Sequence, residues 1–238
     1  MKENQRVLTG YPVSQGVAKA EAYHYEPLML NIETGYFKAG KETEYWRAFM
    51  AAREKTEQEL QSLEKELSTD NEKSASIFAA HLTILKDEDL LYEIKSAILN
   101  DRMYPEQAVE ACTGEVIASM KNIKDAMAER YIADILDVKN RLLCNYFGKS
   151  DRNLTHMEKD VIVVVEDLLP SDVATIDRTH IKGIITEKGE TNSHAIILAR
   201  SYEIPMITGV TDAMKMIPDG ELLEIDGETG KIVFNNRY

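Results

Sequence analysis

Apolar residues recur along this chain with two different periods, and the change of period divides it. Between residues 41 and 148 they return every three or four positions, as in Tyr45, Phe49 and Ala52 or Leu60, Leu63 and Leu67. That spacing lays an apolar stripe along one side of a helix. Pro105 is the one proline of the stretch and suits a first helical turn, where its missing N–H costs nothing. Polar breaks fall at 68–71, 86–87, 100–101 and around Asn122, with Asp87 and Asp101 each suited to cap the next helix. The pattern predicts amphipathic helices packed as a bundle of two antiparallel hairpins.

On either side of this block the period shortens. Residues 5–26 hold short apolar stretches punctuated by Gly10, Pro12 and Gly16, a strand-and-turn pattern. "DVIVVVED" (160–167) is a β-branched run flanked by acids, of the kind expected for a strand buried on both faces. Further strands are predicted at 183–186, 206–208, 222–225 and 232–234, with short helices between, and "DGETGK" (226–231) reads as a hairpin turn. If the N-terminal strands join this sheet, the helical block is an insertion. The expected fold is an α/β domain formed by residues 1–30 plus 149–238, with an inserted all-α helical-hairpin bundle at 31–148.

Composition narrows the function more than the fold. A length of 238 residues accommodates two domains with cores of their own. No apolar run approaches the roughly 20 residues that span a bilayer, and the polar start "MKENQRVLTGYPVSQG" lacks a secretory signal, so a cytoplasmic protein without a membrane role is expected. A formal net charge of −13 opposes nucleic-acid binding, which rests on Lys and Arg neutralising phosphates, and fits a basic protein partner. Cys112 and Cys144 occupy apolar helical positions without CxxC spacing and are expected to be buried thiols.

The candidate chemistry lies in "KGETNSHAIILAR" (188–200), a polar turn containing Gly189 that runs into an apolar helical pattern. The first turn of that helix is expected to hold Asn192, Ser193 and His194, with Asn192 or Thr191 as the N-cap. Free N–H groups and the positive end of the helix dipole favour an anion there and disfavour an imidazolium. A neutral imidazole beside an anion-stabilising helix start is what a phosphoryl-accepting histidine needs. The alternative is an inert, hydrogen-bonded helix-start residue. A metal-binding role finds no support, because no Cys or second His stands at ligand spacing.

"KGETNSHAIILARSYEIPMITGV" resembles the phosphohistidine signature of the phosphoenolpyruvate-utilising enzymes, through Gly189, Asn192, Ser193, His194, Ala195, Ile197, Leu198, Ala199 and Arg200, then Glu203, Pro205 and Gly209. "GYPVSQGVAKAEAY", "SIFAAHLTILKDEDL" and "ADILDVKNRLL" are similar to the opening strand, second helix and closing helix of the enzyme I group of the bacterial sugar phosphotransferase system. The resemblance extends over essentially the whole chain. It implies a phosphoenolpyruvate-protein phosphotransferase in which His194 accepts a phosphoryl group and passes it to a histidine of the small basic carrier HPr. His81, Thr83, Ile84 and Leu90 are then expected on the carrier-docking surface, whereas the helical spacing of His81 with Phe78, Leu82 and Leu85 by itself reads as a core histidine. The resemblance also implies that phosphoenolpyruvate and Mg²⁺ are bound by a separate C-terminal domain, which dimerises. The present chain is expected to hold no cofactor or metal and not to use phosphoenolpyruvate unaided.

Three positions depart from the enzyme I pattern. Glu190 replaces a second glycine or alanine, so its carboxylate either repels an approaching phosphate or turns outward. Thr191 and Leu136 stand where arginines are usual. These changes leave two alternatives open: a phosphohistidine domain serving a specialised HPr-like carrier, or a non-catalytic binding or regulatory module descended from enzyme I.

Overall fold

The computed structural model describes residues 5–27, 30, 32, 34–70, 72–123, 125–149, 154–189 and 193–235. The chain divides into two compact units, residues 1–27 with 151–238, and residues 28–150.

The first unit is built on an eight-stranded sheet: β1 (Gln5–Thr9), β2 (Tyr11–Ser14), β3 (Val17–His24), β4 (Val161–Val165), β5 (Ile181–Thr186), β6 (Met206–Thr208), β7 (Leu222–Asp226) and β8 (Lys231–Asn235). Their spatial order is β1-β8-β7-β3-β4-β5-β6-β2. β3, β4, β5 and β6 run parallel, while β7, β8, β1 and β2 pair antiparallel with their neighbours. Every residue of β4 is buried, as its unbroken β-branched run requires. β3 and β7 instead alternate, and their inward Ala18, Ala20, Ala22, Leu223 and Ile225 pack with Ile232 and Phe234. Short helices α6 (Pro170–Ala174), α7 (His194–Ser201) and α8 (Ala213–Met216) connect the later strands.

β1 and β2 lie at opposite ends of the strand order, yet only Gly10 separates them, so the sheet curls until its two edges meet. Gly10 makes this closure possible: its N–H donates to Gly230 O at 2.9 Å, and a Cβ there would lie 2.6 Å from Thr208 O. No side chain fits that gap. The hairpin between β7 and β8 is held by Asp226, whose carboxylate accepts from the Glu228 and Thr229 amides.

The second unit contains α1 (Glu42–Asp70), α2 (Glu72–Leu85), α3 (Glu88–Leu99), α4 (Pro105–Met120) and α5 (Ala126–Tyr146). It connects β3 to β4, which are adjacent and parallel, so it occupies a crossover connection. Along α1, Phe49, Ala52, Leu60 and Leu67 of the anticipated stripe are buried together with Thr56, while Tyr45 and Leu63 are partly exposed. Arg141 donates to Glu59 at 2.9 Å, and Asn145 donates to Thr56 Oγ1 and Glu59, tying α5 to α1. Asp87 caps α3 by accepting from the Leu90 amide at 2.7 Å.

The five helices of this unit part near the polar breaks expected at 68–71, 86–87, 100–101 and Asn122. Several expectations are corrected. Asp101 does not cap α4; Tyr104 holds that position and Pro105 supplies the preorganised first residue. Asp125 caps α5. Cys112 and Cys144 are free thiols, but each is partly exposed rather than buried.

Candidate functional site

The site lies beyond the C-terminal ends of parallel strands β4, β5 and β6, the edge where open α/β sheets commonly bind ligands. β5 ends at Thr186 and β6 at Thr208, both buried, and their side chains meet. Thr186 Oγ1 donates to Thr208 Oγ1 at 2.8 Å. Thr208 Oγ1 in turn donates to Lys188 O at 2.9 Å, with Gly189 O also 3.2 Å away. On the other side the Lys188 amide donates to Glu166 O at 2.8 Å. The turn leaving β5 is therefore gripped by both neighbouring strands.

Gly189 has φ +126°, and a Cβ there would stand 2.6 Å from Thr208 Oγ1. Conformation and close approach both demand glycine. Lys188 forms an exposed ion pair with Glu166 across the turn, which raises the lysine pKa and lowers that of the carboxylate. Glu187 accepts from the Met214 amide at 2.8 Å and thereby holds the start of α8. Glu190, Thr191 and Asn192 lie outside the described residues.

His194 is the first residue of α7 and is partly exposed. The N-cap is Ser193, which corrects the expectation of Asn192 or Thr191: Ser193 Oγ accepts from the Ile196 amide at 3.4 Å. Ala195, Ile196, Leu198 and Ala199 are all buried and fix the helix against the unit. Arg200, six residues on, sends its Nε to Val13 O of β2, so it ties α7 to the sheet. The arrangement places a partly exposed imidazole at a Ser193-capped helix start, an end whose free N–H groups and dipole favour an anion.

The residues expected on a docking surface separate. His81 and Ile84 are buried, so neither presents a surface, which corrects that expectation. His81 Nε2 meets Asp134 Oδ1 of α5 at 3.2 Å, its Nδ1 lies 3.9 Å from Asp137 Oδ2, and its ring packs edge-on against Phe78. Thr83 is exposed, with its hydroxyl donating to Ala79 O of the same helix, and Leu90 is partly exposed.

Two groups of residues were not anticipated. Thr186 and Thr208 could be found only from the strand register that pairs them. Met127 and Tyr131 stand exposed four residues apart on α5, outside its buried stripe, and Ile123 is exposed in the turn before the helix. Tyr131 also feels Asp87 and Asp134: burial raises the phenol pKa and these two carboxylates raise it further. Among the described residues no three His, Cys, Asp or Glu side chains come together as a metal-binding group, and no helix is long and apolar enough to cross a membrane.

An α/β unit interrupted between adjacent parallel strands by an all-helical one defines the architectural class. Residues 9–130 match the family described as PEP-utilising enzyme, N-terminal, and residues 157–230 match PEP-utilising enzyme, mobile domain. The chain belongs to the PEP-utilising enzymes, as a counterpart of the N-terminal domain of enzyme I. It is 33% identical over 232 residues to a phosphoenolpyruvate-protein phosphotransferase of Bacillus sp. (strain S), covering 97% of this chain and 40% of that protein. A protein of the same name from Priestia megaterium is 35% identical over 235 residues, covering 95% and 39%. The chain thus spans about two fifths of the length of these relatives.

Among solved structures, the solution structure of Enzyme I (nEIt) aligns with a TM-score of 0.75 and 30% identity, over 95% of this chain and 92% of the other. The N-terminal domain of Enzyme 1 - Nitrogen shares the fold, with a TM-score of 0.66 and 20% identity over 97% and 94% of the two chains.

Proposed function

We propose that this chain carries a phosphoryl group on His194 and exchanges it with a histidine of HPr or an HPr-like carrier. The observation that carries the reading is His194 at the Ser193-capped start of α7, inside the segment that matches the mobile domain. In the exchange, a lone pair on one His194 ring nitrogen forms a P–N bond as the P–N bond to the carrier's ring breaks. The leaving pair returns to the carrier imidazole. The second nitrogen of each ring keeps its proton, so no proton has to be exchanged. The protein's contribution is positioning and stabilisation of phosphoryl charge.

In longer relatives the donor would be phosphoenolpyruvate, bound with Mg²⁺ on a C-terminal dimerisation domain. Docking of the carrier belongs to the helical unit, where Thr83 and Leu90 lie on the helices joined at the Asp87 corner. Asp87, Glu88 and Asp89 supply negative charge to a basic carrier, and exposed Met127 and Tyr131 supply apolar contact beside Asp87.

HPr phosphorylated by a full-length relative, then separated from it, should label this chain with acid-labile, alkali-stable phosphate, and His194→Ala should remain unlabelled. Equal labelling of His194→Ala would remove His194 from the reaction. The sequence departures at Glu190, Thr191 and Leu136 favour a second reading, a non-catalytic binding module. Carrier binding without any labelling would select it.

A further inference from the structure

We infer that Thr186 and Thr208 are positioning residues for transfer at His194, acting as a two-hydroxyl clamp on the turn that leads to it. This inference rests on the proposed role of His194. Both side chains are almost wholly inaccessible, at 1% and 0% exposure, so water does not compete for their hydrogen bonds.

The hydroxyl protons all point one way along the chain of bonds. Thr186 donates to Thr208, which spends its own proton on the carbonyls of Lys188 and Gly189. Each hydroxyl has one proton, and both protons are used. Thr208 Oγ1 also fills the space that a Cβ on Gly189 would enter. One hydroxyl therefore sets both the direction of two carbonyls and the identity of the residue between them.

The clamp is placed where it affects chemistry. It fixes the last turn of chain on the β5 side of the loop, while Ser193 and the buried face of α7 fix the His194 side. In-line phosphoryl transfer tolerates little misplacement: a shift of about 1 Å in a reacting group can cost roughly a hundredfold in rate. Thr186 is also a reserve. Its Oγ1 lies 3.4 Å from the Cβ position of Gly189, within reach of the turn when Thr208 has no hydroxyl. The two threonines should consequently be coupled, with the double change worse than the product of the single ones.

The test uses the full chain, HPr phosphorylated beforehand, and the initial rate of acid-labile phosphate appearing on the chain. Thr208→Val should lower the rate at saturating carrier by about tenfold or less, and Thr186→Val by less still. The double valine variant should lose roughly a hundredfold. The half-saturating carrier concentration should stay constant throughout, and Thr208→Ser should restore the wild-type rate within about twofold. Amide exchange of residues 186–189 should accelerate in the double variant.

A double variant transferring within about threefold of wild type overturns the inference, as does loss confined to the half-saturating concentration. If the double variant does not fold, Thr208→Val against Thr208→Ser decides, and equal rates for these two overturn it. A wild-type chain that never labels overturns the proposed function instead. In that case unchanged amide exchange in the double variant overturns the clamp separately.

Discussion

Replacing His81 by leucine tests whether this residue belongs to the core of the helical unit or to its surface. The imidazole is wholly buried, and its Nε2 lies 3.2 Å from the Asp134 carboxylate, at hydrogen-bond length. Its Nδ1 lies 3.9 Å from Asp137, too far for a hydrogen bond. One buried hydrogen bond to a carboxylate is therefore at stake, worth about 1.5–3 kcal/mol. Leucine nearly fills the vacated volume, so no large cavity term adds to this. With a urea slope of about 2 kcal/mol per molar, the midpoint should fall by roughly 1 M. His81→Gln, whose amide can still donate to Asp134, should recover part of the loss. The assay is urea unfolding followed by far-UV circular dichroism, paired with a titration of HPr binding. An unchanged midpoint together with weakened carrier binding would refute the core assignment and return His81 to the docking surface.

Other parts of the molecule yield three further expected outcomes. The Asp177 carboxyl is held well below the usual range, first by a hydrogen bond with His180 and then by the Met157 and Thr179 amides. A group more acidic in the folded chain than in the unfolded one adds stability above about pH 4 and loses it as the pH falls. Acid titration of the α/β unit should thus show a shallower decline below pH 4 in Asp177→Asn than in wild type. Burial, with Glu115 and Glu93, pushes the Cys112 thiol up to about 11, so iodoacetamide at pH 8 should alkylate it roughly a hundredfold more slowly than an ordinary cysteine. Mass-spectrometric time courses check this, and parity with a free thiol would contradict it. Gly114 lies inside α4 with no atom within 4 Å of an added Cβ, so Gly114→Ala should stabilise the helical unit by about 0.5–1 kcal/mol, read from the same urea unfolding.

Wherever local pattern determines structure, the sequence was legible. The unbroken run of β4 marked a strand buried on both faces, the stripe of α1 marked its inner side, and Asp87 marked a cap. Three adjacent residues, Thr191, Asn192 and Ser193, are all good caps, so propensity alone could not choose Ser193. The apolar neighbours of His81 pointed to the core where it lies, and only the resemblance to a docking helix pointed outward. The Thr186–Thr208 contact was illegible because it spans 22 residues and depends on which strands become neighbours. The curling of the sheet through Gly10 is equally non-local, since a lone glycine between two short strands reads as an ordinary hairpin turn.

The crossover from β3 to β4 also governs when the molecule can be completed. During synthesis, β3 leaves the ribosome long before β4, because residues 25–160 must first be made. At about 5–20 residues per second, that wait is on the order of ten seconds. Throughout it, Ala18, Ala20 and Ala22 have no sheet to face, whereas the helical unit between has its own partners already in the chain. The nascent protein therefore carries an unpaired strand past a finished domain, and that interval is where chaperone capture or misassembly would concentrate.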